Sequence, residues 1–79
     1  MKQHLYLDPI AVGTRIYTAR KALNMSRMSL AKKMGYQTEQ SVGRWERGEV
    51  TPRIDILADL CSTLHVSIDY LLTGLPSVA

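Results

Sequence analysis

The sequence predicts an all-α fold, a bundle of five short helices, and three observations carry that expectation. Apolar residues recur every three or four positions along most of the chain, the period of helices that each bury one face. No alternation of apolar and polar residues longer than the LYL at 5–7 suggests a strand. Each periodic stretch is punctuated by helix-stop residues, with Asn24, Gly35, Gly48 and Gly74 at four of the ends. Seventy-nine residues, 46% hydrophobic and 22% charged, suit one small domain with a thin core rather than a disordered chain. The expected organisation is an N-terminal arm at 1–8, a domain at 9–74 and a tail at 75–79.

Asp8 followed by Pro9 is a helix start, because a carboxylate accepts free N–H groups and proline suits the first helical position. Val12, Ile16, Ala19 and Leu23 then form an apolar stripe up to Asn24, which tolerates a left-handed cap. Ser26 caps a second helix at 27–34, with Leu30, Ala31 and Met34 facing inward and Gly35 ending it. Thr38 is the expected cap of a third helix at 39–47, with Val42 and Trp45 inward and Gly48 closing it. Two short helices separated by a few residues make a helix-turn-helix arrangement. After the loop to Pro52, Ile54, Leu57, Ala58, Cys61 and Leu64 are the expected inner stripe of a fourth helix. It stops at His65, a residue type enriched at positive φ. Ser67 caps a last helix at 68–72 that ends at Thr73 and Gly74.

Charge is unevenly distributed. All ten Lys and Arg lie at 2–53 against four acids, a net +6, while 54–79 has three acids and no base. Such asymmetry suits one face made for a polyanion. One cysteine excludes an internal disulfide framework, so a reducing cytoplasm is the expected compartment. No apolar run approaches the roughly 18 residues of a membrane span, and no membrane partner is expected. Cys61 and His65 are four apart, but zinc takes about four ligands and only His4 and scattered carboxylates remain. No nucleophile and base are paired in the pattern. Neither an enzyme, a metal nor a cofactor is expected.

Taken together, RIYTAR at 15–20, MSRMSLAKKMG at 25–35, SVGRWERG at 41–48 and LCSTLHVSIDYLLTG at 60–74 resemble the phage-repressor, Cro-like (XRE) helix-turn-helix DNA-binding domains. The resemblance covers 10–74, nearly the whole chain. It implies a five-helix, lambda-repressor-like bundle that docks its third helix in the major groove, usually as a two-fold dimer on a near-palindromic operator. Arg20 and Glu46 match the family's arginine and glutamate that pair between the first and third helices, a structural ion pair. Independently, a charge at Glu46 beside core-facing Trp45 would be costly without a partner. Ser26 and Arg27 match the family's phosphate-binding start of the second helix. The chain departs from the pattern in one additional residue before Glu46, in Ser29 where an acidic capping residue is usual, and in Gly43 inside the recognition helix.

Gln40 and Arg44 share one helix face, as do Glu39 and Gly43, opposite Val42 and Trp45. Gln can bind adenine N6 and N7, Arg guanine O6 and N7, and Glu can accept from cytosine N4. Glu39, Gln40, Gly43 and Arg44 are therefore the base-reading candidates. Gly43 costs about 1 kcal/mol in helix propensity and offers in exchange a close backbone approach. Ser26, Arg27, Lys32, Gln37, Thr38, Arg47 and Arg53 are the phosphate candidates, which orient without reading sequence. Tyr70, Leu71, Leu72 and Leu75, with Val78, form the expected dimer interface, and the LYL at 5–7 can add to it. The expected function is a sequence-specific double-stranded DNA-binding transcriptional regulator, a homodimeric repressor controlled by concentration, a partner or proteolysis, since five residues after Gly74 leave no sensing domain. The alternative is an antitoxin-like subunit of the same fold that holds a protein partner.

Overall fold

The computed structural model describes residues 7–75 as five helices with no strand among them: α1 (Pro9–Ala22), α2 (Arg27–Lys33), α3 (Gln40–Glu46), α4 (Ile54–Leu64) and α5 (Ile68–Thr73). His4, Leu5, Tyr6 and Val78, and with them most of the proposed arm and tail, lie outside the described residues. No helix among the described residues is long and apolar enough to cross a membrane.

Local chemistry sets the helix ends. The Asp8 carboxylate accepts from Ile10 N at 3.0 Å, Ser26 Oγ from Ser29 N at 3.0 Å, and Ser67 Oγ from Tyr70 N at 3.0 Å, so three helices begin on side-chain caps. α3 does not. Its cap is Glu39 rather than Thr38, with no side-chain hydrogen bond, because the turn at 37–39 carries the chain one residue further before the helix starts. Asn24 and His65 hold φ of 58° and 60°, the left-handed turn expected where each helix stops.

Val12, Ile16 and Ala19 of α1, Leu30 and Ala31 of α2, Val42 and Trp45 of α3, Leu57, Leu60 and Leu64 of α4, and Leu71 of α5 form the core. The phase of α4 differs from the sequence expectation. Leu57, Leu60 and Leu64 face inward, whereas Ile54 is 66% exposed and Ala58 is also exposed. Ile54 opens the helix and has no turn before it to press it onto the bundle. Leu71, expected at a dimer interface, is fully buried in its own core, so the α5 face open to a partner excludes it.

α1 and α3 touch backbone to backbone at Gly13. A Cβ there would stand 2.7 Å from the Glu46 carbonyl oxygen and nearer still to that of Trp45. α1 also holds the end of α5: Arg15 Nη1 donates to the Leu71 carbonyl at 3.2 Å, a cation satisfying a carbonyl near a helix C-terminus. Through these two contacts one helix sets the orientation of α3 and of the C-terminal face together.

Candidate nucleic-acid interface

α3 has two chemically unlike faces. Val42 and Trp45 are buried, and the Trp45 ring meets Tyr36 edge to face with centroids 5.9 Å apart. Glu39, Gln40 and Arg44 are exposed on the other side. Ser26 and Arg27, at the start of α2, and Gln37 and Thr38, in the turn between the two helices, flank this face in the chain. Lys32 is exposed on α2.

A charge cluster anchors α3 from beneath. Arg20 Nε donates to Glu46 Oε2 at 2.6 Å and Arg20 Nη2 to Glu46 Oε1 at 3.0 Å, a two-pronged pair. The third donor, Arg20 Nη1, reaches the Met25 carbonyl at 2.7 Å, and the guanidinium sits 5.2 Å from the centre of the Tyr17 ring. Both side chains are almost fully buried, at 6% and 3% exposure. The Glu46 hydrogen bond outweighs the burial and raises the Arg20 pKa above its already high ordinary value. Arg27 joins this cluster, its Nε donating to Glu46 Oε1 at 3.1 Å while its side chain stays 40% exposed. That second role was not legible in the sequence, since it depends on the distance between α2 and α3. An open groove of about 500 Å3 lies beside the cluster, between the α1–α2 turn and Glu39, with Lys21 and Arg27 on its walls.

Two other phosphate candidates are paired within the chain. Arg53 Nη2 lies 3.1 Å from Asp55 Oδ2, both well exposed. Arg47 Nε donates to Glu49 Oε2 at 2.7 Å. That hydrogen bond holds the Glu49 carboxyl below its ordinary value. The pair therefore supports the fold above the ordinary Glu value, and its support is lost as pH falls through the lowered one. In Arg47→Ala the Glu49 carboxyl should titrate nearer the ordinary value, as followed by carboxyl NMR.

Gly43 is the correction at this site. It is buried rather than offered on the exposed face, because the Arg47 side chain folds back over it. A glycine inside a helical pattern was a legible flag for close approach, but the approaching group is an arginine of the same chain. Gly13 carries the same flag, and there the approaching group is the α3 backbone.

Residues 16–71 match the family model described as Helix-turn-helix (HTH_3). Repressor protein C2 of Salmonella phage P22 is 36% identical over 63 residues, a match spanning 80% of this chain but only 29% of that protein's length. The crystal structure of the P22 c2 repressor with a synthetic operator superposes with a TM-score of 0.75 at 36% identity, covering 81% of this chain and 96% of that one. The restriction-modification controller protein of Aeromonas hydrophila superposes with a TM-score of 0.74 at 27% identity, covering 84% and 98% of the two chains. The helix order, the lambda-repressor-like bundle and the match over most of the sequence agree: the chain belongs to the helix-turn-helix (HTH_3) family, in its Cro/C1-like branch.

Proposed function

We propose that the chain is a sequence-specific double-stranded DNA-binding transcriptional regulator, a cytoplasmic repressor acting as a homodimer on a near-palindromic operator. One observation carries the reading: α3 buries Val42 and Trp45 and turns Gln40 and Arg44 outward, with Arg27 at the start of α2 tied to Glu46 in its last turn. Helices in this arrangement offer base-reading side chains to a major groove and backbone-binding groups to its walls. The P22 relative was crystallised with operator DNA, which supports the same use here. Ser26, Arg27, Lys32, Gln37 and Thr38 are the proposed phosphate contacts, Arg53 being neutralised by Asp55, and the groove beside Lys21 and Arg27 has room for a phosphate.

Magnitudes favour two copies. A good bidentate base contact discriminates by about 1 to 3 kcal/mol, and specific sites exceed random DNA by about 4 to 10 kcal/mol. One copy with two or three contacts is marginal. The proposed interface uses Leu75, which is well exposed, with the half-buried Tyr70 and Leu72.

Selection of bound sites from a random duplex pool tests the proposal, with an enriched inverted repeat as the expected result. A pool that stays random after selection would remove the function. Arg44→Ala should relax preference at one base pair of each half-site. Arg27→Ala should instead weaken binding to all sequences and reduce the logarithmic salt slope by about one, as measured by fluorescence anisotropy at several salt concentrations.

A further inference from the structure

The environment of Gly43 points to a further reader on the outward face of α3. The three heavy atoms nearest to the Cβ it lacks all belong to the Arg47 guanidinium: Nη1 at 3.0 Å, and Cζ and Nη2 both at 3.6 Å. Arg47 leaves the last turn of α3 and lies back along the helix, the direction in which helical side chains lean. At about 100° per residue it projects within about 20° of Gln40, close to the middle of the outward face. Glu49 takes its Nε at 2.7 Å, and no other hydrogen bond among the described residues engages Nη1 or Nη2. A two-pronged donor is thus held over Gly43 on the outward face of α3.

We propose that Arg47 reads a guanine, with Gly43 as the socket that admits its guanidinium to the reading row and Glu49 as the residue that positions it. The inference rests on the DNA-binding function proposed above. Charge decides between a base and a phosphate. Paired with Glu49, Arg47 contributes no net charge, so it is a poor counterion, and a phosphate brought to it would meet the Glu49 carboxylate. Guanine O6 and N7 are neutral acceptors matched to the two Nη groups, and they add no repulsion. Gly43 is required because a side chain reaching beyond Cβ would claim the space that the guanidinium occupies.

The test repeats the duplex selection with wild type, Arg47→Lys, Gly43→Gln and Glu49→Ala, and measures each variant's affinity for the selected site, its single-base changes and random duplex. Lysine keeps the charge but loses the fork, so Arg47→Lys should lose roughly 5- to 150-fold of preference at one guanine per half-site. Gly43→Gln should lose preference at the same guanine while thermal unfolding shows the fold kept, glutamine being the better helix former. Glu49→Ala should bind random duplex more tightly, since a negative charge has gone, yet prefer that guanine less. A purely structural role for Glu49 would not separate those two readouts. Uniformly weaker binding by Arg47→Lys with an unchanged consensus would make Arg47 a phosphate contact and overturn the inference, as would an unchanged guanine preference in Glu49→Ala. No enriched site with wild type would remove the function and this inference together, whereas an enriched site indifferent to Arg47 would remove the inference alone.

Discussion

Gly13→Ala is expected to cost about 3 kcal/mol or more, lowering the unfolding midpoint by on the order of 15 °C in a domain of this size. The added Cβ would stand 2.7 Å from the Glu46 carbonyl oxygen and closer still to that of Trp45. Both are backbone atoms inside α3 and cannot rotate away. The helices must separate to restore ordinary contact, which draws Val12 and Ile16 off Val42 and Trp45. Separation also stretches Arg20 from Glu46. Opposing this is a helix-propensity gain of about 1 kcal/mol for alanine over glycine, too small to change the sign. Gly43→Ala is the control. Its Cβ meets only the end of the Arg47 side chain, which can yield by a few tenths of an ångström, so the propensity gain should appear as added stability. Urea denaturation of both variants decides the matter, and a Gly13→Ala protein as stable as wild type would refute the close packing of α1 on α3.

The contrast between these two glycines shows what the sequence could and could not disclose. Features governed by the nearest few residues were legible: the caps at Asp8, Ser26 and Ser67, and the left-handed stops at Asn24 and His65. So was the division of α3 into a core side with Val42 and Trp45 and an outward side with Gln40 and Arg44, because apolar and polar residues separate cleanly there. α4 was harder. Ile54, Ile56, Leu57, Ala58, Leu60, Cys61 and Leu64 put apolar residues on most of its circumference, so the period admits more than one phase, and only packing selects Leu57, Leu60 and Leu64. Leu71 and its neighbours pose the same problem on a six-residue helix. The contact of Gly13 with α3 and the reach of Arg27 to Glu46 are distances between elements. No spacing rule encodes them.

Glu46→Ala is the second large effect, a loss of about 3 to 5 kcal/mol. The carboxylate is 3% exposed and accepts three hydrogen bonds, two from Arg20 and one from Arg27. Without it Arg20, itself 5% exposed, keeps only the Met25 carbonyl and the Tyr17 ring against the cost of a buried charge. Arg27 is 40% exposed and can turn to solvent, so its loss of a partner adds little. Removing both charges should therefore be far milder than removing one. Arg20→Met with Glu46→Leu should recover most of the stability lost by either single change, since apolar side chains of similar size often replace a buried pair at no net cost. Urea unfolding of the two singles and the double gives the coupling directly, and simple additivity would refute it. The double variant then separates stability from geometry. The pair ties α1 to the last turn of α3, and through Arg27 it ties the start of α2 to the same carboxylate. An apolar replacement restores the burial but not those directions. The double variant should therefore unfold near the wild-type midpoint yet bind its selected operator more weakly, with the deficit largest at specific sites and smallest on random duplex.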